Sequence, residues 1–160
     1  MPDADDTTET ATDTAARRLG ERLGATGRRI AVAESLTGGL LVQALARVEG
    51  SGEWLLGGLV AYHRDVKHEV LGVTDEIVVS ARAAAQMATG VRRLLGADVA
   101  IAVTGAAGPD PQDGRPPGTV FVGIDAGDGP RTVELSLEGE PEEICARTVV
   151  EALRRTADAI

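Results

Sequence analysis

At 160 residues and 43% hydrophobic content, the chain has the length and apolar mass of one domain with a real core. A formal net charge of −9, only 2% aromatic residues and no Lys/Arg stripe interleaved with aromatics argue against nucleic-acid binding. Apolar runs are short and broken, the start is acidic, and the lone Cys145 has only His63 and His68 for company, so we expect a cytoplasmic protein with no membrane span, disulfide, metal or cofactor.

Asp3, Asp5, Asp6, Glu9 and Asp13 share a stretch without a basic residue, which reads as a disordered acidic tail over 1–13 ahead of a single domain over 14–160. Leu19 and Leu23 among Arg and Glu predict an amphipathic helix over 14–23, ended by Gly24. The apolar run 30–33 predicts a buried strand, and a helix follows from about 37 to the glycine at 50. A second strand spans 55–62, interrupted by Gly57 and Gly58, and a short helix at 65–71 closes at Gly72. Ser80 is placed to cap a long helix that runs to Leu95 and stops at Gly96. Residues 99–103 read as another all-apolar strand, 105–118 as a Pro/Gly loop and 119–124 as a further strand. A turn at 127–130 leads into an alternating strand at 133–137, and a helix over 141–159 closes the chain. Strands alternating with helices and ending in a hairpin predict an α/β fold, a three-layer α/β/α sandwich with a mixed sheet of about five strands.

In such a sheet, ligands bind beyond the carboxyl ends of the strands, and three loops there have suitable residues. The first is Ala33-Glu34-Ser35-Leu36-Thr37-Gly38-Gly39, a strand-to-helix elbow that exposes a serine hydroxyl beside unpaired helix N–H groups. Its alternative reading is that Ser35 or Thr37 only caps the helix. The second is Tyr62-His63-Arg64-Asp65-Val66-Lys67. Lys67 is the one lysine among 16 basic residues; arginine keeps its proton, whereas lysine can lose its own and act as a base. A serine needs such a base, and lysine serves if its pKa falls from about 10.4 to around 7 or 8 through burial and a neighbouring cation. Tyr62 could relay or hold the proton. The alternatives are an interfacial tyrosine and a solvent-facing lysine. The third loop is Val103-Thr104-Gly105-Ala106-Ala107-Gly108-Pro109, whose small residues let the backbone approach a ligand closely. It has neither a Walker Gly-Lys-Ser/Thr nor a dinucleotide Gly-x-Gly-x-x-Gly pattern.

Together these blocks resemble the CinA C-terminal domain family, the nicotinamide mononucleotide deamidases. The resemblance rests on AESLTGGLL at 33–41, GGLVAYHRDVKHEVLGV at 57–73, AVTGAAGP at 102–109 and PPGTV at 116–120. It implies hydrolysis of nicotinamide mononucleotide to nicotinate mononucleotide and ammonia by a Ser-Lys mechanism without metal or cofactor. By position, Ser35 is implied as nucleophile, Lys67 as general base, Tyr62 as a supporting polar group and Thr104, with Gly105, as substrate-binding. N–H groups near Thr37 and Gly38 are our own expectation for the oxyanion site, drawn from the helix start. The partner expected is a small mononucleotide, with a homo-oligomer plausible for so small a domain.

Five positions depart from the family's pattern. Leu36 replaces its usual Cys, and His63-Arg64 replace a frequent Ser-Asn. Pro141 and Cys145 stand where arginines suited to a phosphate are typical, with Arg147 as the nearest substitute, about 200° further round the helix than Cys145. The loop 110–115 differs as well, and Arg115 could add a charge there. Two alternatives therefore stay open: a nucleotide-binding or regulatory member without activity, and a hydrolase for a different amide.

Overall fold

The computed structural model describes residues 4–160. In chain order the elements are α1 (Ala4–Thr26), β1 (Ile30–Glu34), α2 (Leu40–Ala46), a 3-10 turn at Ser51–Glu53, β2 (Leu55–Val60), α3 (Arg64–Glu69), α4 (Ala81–Leu95), β3 (Val99–Gly105), β4 (Thr119–Asp125), β5 (Pro130–Ser136) and α5 (Pro141–Ala159). The runs IAVAE and VAIAVTG have no solvent-facing side, and every residue of both strands is buried. They form the parallel centre of a sheet ordered β2-β1-β3-β4-β5, with β4 and β5 added antiparallel. This is the mixed five-stranded α/β sandwich expected from the sequence.

The pleat sorts side chains by size. Ile30, Val32, Val99, Ile101 and Val103 point to the face covered by α1, α2 and α5. Ala31, Ala33, Ala100 and Ala102 point to the other face, against Ala83, Met87, Ala88 and Val91 of α4. Small residues on that side let α4 lie close to the sheet. A Cβ at Gly123 of β4 would overlap the Ala84 carbonyl, and one at Gly90 of α4 would overlap the Leu71 carbonyl.

The chain leaves β1 toward the α2 face and leaves β2 toward the α3 and α4 face. Neighbouring strands thus send their connections apart, and a crevice opens between their carboxyl ends.

Several boundaries differ from the expected ones. β3 runs on to Gly105, and β5 starts at Pro130 rather than at 133. α1 is helical from Ala4, so 4–13 is not a loose tail, and Asp13 pairs with Arg47 at 2.8 Å; Met1, Pro2 and Asp3 lie outside the described residues. α2 starts at Leu40 rather than near Thr37, because Gly38 and Gly39 take φ values of 55° and 112° and hold the backbone in a turn. β2 stops at Val60, which leaves Tyr62 in the connection to α3. Among the described residues, no helix is long and apolar enough to cross a membrane.

Candidate active site

Strand register brings the three loops together. Glu34 of β1 is opposite Val60 on one side and Val103 on the other. Beyond it, Ala61 N–H donates to Glu34 O at 2.7 Å and Ser35 N–H donates to Val103 O at 3.1 Å. Ser35, Tyr62 and the Thr104-Gly105 pair therefore emerge at one sheet end. A cavity of about 260 Å³ lies there, lined by Ser35, Leu36, Tyr62, Gly105 and the 107–112 stretch.

The Ser35 turn is built on Glu34. This side chain is fully buried, and its Oε1 accepts from Thr37 Oγ1 at 2.6 Å, Gly39 N–H at 3.3 Å and Leu41 N–H at 2.8 Å, while Oε2 accepts from Val42 N–H at 3.0 Å. A carboxylate so placed supplies the acceptors that the first turn of α2 lacks. The Ser35 hydroxyl is left without a hydrogen-bond partner among the described residues, and the N–H groups of Leu36 and Thr37 are likewise unpaired.

Lys67 lies in α3, whose first turn is capped by His63: its Nδ1 accepts from Asp65 N–H at 3.2 Å. The lysine is only 1% exposed, and its Nζ donates to Tyr62 O at 3.1 Å. Its pKa is lowered from 10.5 to about 8, first by burial, then by the Arg64 guanidinium, with Asp113 opposing. The solvent-facing alternative for Lys67 does not hold. It makes no hydrogen bond to Ser35; it is tied to the carbonyl of Tyr62, whose own side chain is 71% exposed at the rim of the cavity that Ser35 also lines.

Other expected ligand-binding groups are engaged in holding the backbone. Thr37 is bound to Glu34, Gly38 N–H donates to Ser35 O at 3.1 Å, and Thr104 Oγ1 donates to Val78 O at 2.6 Å. Gly105 does line the cavity, and it packs so tightly on Thr119 and Val120 that no Cβ fits. Arg147 does not join the site. Its guanidinium donates to Glu138 O at 3.2 Å and faces a separate cavity beside β5, while Cys145 meets the turn, its Sγ donating to Leu36 O at 3.2 Å. Burial and Glu142 raise the Cys145 thiol pKa. Arg115 stacks on Phe121 at 5.3 Å.

Sequence reasoning missed Glu34 and Asp113. The signal for Glu34 was an acid closing an otherwise apolar strand, immediately before a serine, with a pair of glycines at 38 and 39. Asp113 gave none. Its Oδ2 accepts from Val78 and Val79 N–H at 2.9 and 3.1 Å, and its Oδ1 from Arg64 at 3.1 Å. No group of three or more His, Cys, Asp or Glu among the described residues is arranged to hold a metal ion.

Similarities to known proteins converge on one family. The CinA C-terminal domain model matches residues 12–160. A CinA-like protein of Frankia casuarinae is 44% identical over 129 residues, 78% of this chain and 30% of that protein. The chain spans about a third of the length of the curated relatives it matches. A crystal structure of the competence damage-inducible protein A from Klebsiella pneumoniae matches with a TM-score of 0.88 at 33% identity, covering 92% of this chain and 95% of that one. A CinA superfamily structure from Escherichia coli gives 0.87 at 32% identity, covering 100% and 94%. With a family model spanning the sheet, all three site loops and the closing helix, the chain belongs to the CinA C-terminal domain family.

Proposed function

We propose that the protein is an amidohydrolase that converts nicotinamide mononucleotide to nicotinate mononucleotide and ammonia by a Ser-Lys mechanism. The observation that carries this reading is a buried lysine with a lowered pKa, held by the Tyr62 carbonyl just beyond β2, at the same sheet end where the unpartnered Ser35 hydroxyl emerges. A neutral amine that donates one N–H to Tyr62 O keeps a lone pair to accept a proton.

In the first half-reaction, Ser35 Oγ attacks the amide carbon as its proton passes to Lys67 Nζ. Negative charge develops on the carbonyl oxygen, and the unpaired Leu36 and Thr37 N–H groups are the donors we assign to it. Collapse breaks the C–N bond, Lys67 returns the proton to the departing nitrogen, and ammonia leaves behind a seryl ester. Water, deprotonated by Lys67, then cleaves the ester and frees the carboxylate and Ser35. Ammonia release from nicotinamide mononucleotide is the test. We expect Ser35→Ala and Lys67→Arg each to lose at least about a thousandfold in kcat, and variants as fast as the parent would refute the mechanism.

One observation favours a second reading. The residues lining the cavity include Asp110 but no Lys or Arg, so a different, phosphate-free amide deserves a place in the same assay. Comparable kcat/KM for the nucleotide and its nucleoside would support it. A preference of more than about a hundredfold for the nucleotide would instead require a cation from elsewhere, for which a second copy of the chain is our candidate. Binding of both by calorimetry without turnover would favour a non-catalytic member.

A further inference from the structure

The wall of the Ser35 cavity over 107–112 contains no helix and no regular strand. It is fastened at its far end by one residue. Asp113 sits at φ 50°, the one non-glycine in the left-handed region among the described residues, at the tip of a tight turn in which Gln112 and Arg115 exchange backbone hydrogen bonds of 3.1 and 2.8 Å. A residue with a Cβ stays there only when its surroundings hold it. Here the carboxylate does so: Oδ2 takes the N–H groups of both Val78 and Val79, and Oδ1 takes Arg64 Nη2. Thr104 of β3 grips Val78 from the other side through its carbonyl. Residues 78–79 thus form a strut shared by β3 and the cavity wall. Arg64 is three residues before Lys67 and so shares its side of α3.

We propose that Asp113 is a positioning residue for the Ser35 and Lys67 site: its carboxylate pins the cavity wall to the strut at 78–79 and holds Arg64 on the helix that carries Lys67. The inference rests on reading Ser35 and Lys67 as the reacting pair. Asp113 and Arg64 form an ion pair whose two halves act on Lys67 in opposite directions. Arg64 on its own helix and Asp113 from the loop are the charged groups that bear on the lysine, and the end of β2 contributes the Tyr62 carbonyl. A latch too far from Lys67 to bear on it would have no such signature.

Because Lys67 is the only lysine, protein labelled with lysine carrying ¹³C at Cε gives a single side-chain resonance, and its titration needs no assignment. Asp113→Asn keeps an acceptor for Val78 and Val79 and removes the charge. We expect the Lys67 midpoint to fall by roughly half a pH unit to one unit in Asp113→Asn and to rise by a similar amount in Arg64→Gln, the range a single nearby charge produces at a partly screened site. If Asp113→Asn does not fold, Asp113→Ser, with a smaller neutral acceptor, carries the same expectation. Unmoved midpoints, or shifts of one sign in both variants, would overturn the proposal. The resonance is read without substrate, so the two readings fail separately. A parent that releases no ammonia refutes the function and leaves the titration to judge Asp113. Release of ammonia with unmoved midpoints refutes the role of Asp113 alone.

Discussion

Replacing Lys67 by Met should stabilise this protein at neutral pH, although most changes to fully buried residues do the opposite. The folded protein holds the Lys67 proton less tightly than the unfolded chain does, about 8 against 10.5, a gap worth about 3 kcal/mol. The sign follows from proton binding: the unfolded state binds more, so the cost is complete below pH 8 and fades as pH rises from 8 through 10.5. Met occupies similar volume without charge, but it leaves the Tyr62 carbonyl without its donor, a loss of about 1 kcal/mol. The net expectation at pH 7 is a gain of about 2 kcal/mol, which raises Tm by roughly 4–8 °C for a domain of this size. Near pH 10.5 the charge term has almost vanished, and the lost hydrogen bond should leave the variant slightly less stable than the parent. Urea unfolding of both proteins at the two pH values reads the difference directly, since every other titrating group cancels. A variant destabilised equally at both values would show that Lys67 is not held in a costly charged state, and the argument for it as a base would fall with that result.

The pH dependence of ammonia release should mirror the same group: kcat/KM rises about tenfold per pH unit and levels off above about 8, and a profile flat from pH 6 to 9 would contradict a lysine base. Glu34→Gln replaces an acceptor-only group with an amide whose NH₂ must face the Leu41 or Val42 N–H groups. It should cost about 2–4 kcal/mol in chemical denaturation, and an unchanged midpoint would mean the carboxylate is dispensable to α2. Gly123→Ala pushes a methyl into the Ala84 carbonyl and should lose about 1–3 kcal/mol. Gly24→Ala, in α1 with nothing within reach of the new methyl, should be neutral or gain up to about 1 kcal/mol. Equal Tm shifts in the two glycine variants would refute the close packing of α4 on the sheet.

The fold was legible where one physical rule governed a whole segment. Residues 30–33 and 99–103 are apolar on both faces, which suits only central strands, and Ser80 and Gly96 mark α4 at both ends because their caps are local. Legibility failed where a distant or unexpected side chain decided the outcome. Helix α2 starts late because Gly38 and Gly39 turn the chain and Glu34 reaches over them to cap Leu41 and Val42. The acidic start reads as disorder by composition, yet it is helical from Ala4, and the Asp13 to Arg47 pair lies between segments far apart in sequence. Arg147 was the nearest cation to the expected phosphate side, and helical rotation alone carries it away, toward Glu138.

The polar residues in the three loops have separate roles. Glu34, Thr37 and Thr104 are buried and bonded to the backbone or to each other, so their polar groups go into fixing the ends of β1 and β3. Among the polar groups at this end are an unpartnered serine hydroxyl and an amine held by a single carbonyl. A lysine buried at a stability cost and tied by one hydrogen bond is poorly explained as scaffold, since Met would fill the space at lower cost. An arginine there would carry a charge it could not release, and a histidine is too short to span from α3 to the Tyr62 carbonyl by the same path. On the Ser-Lys reading we propose, the single lysine of the chain sits where a long, deprotonatable side chain is needed, and the surrounding polar groups hold the backbone that carries it.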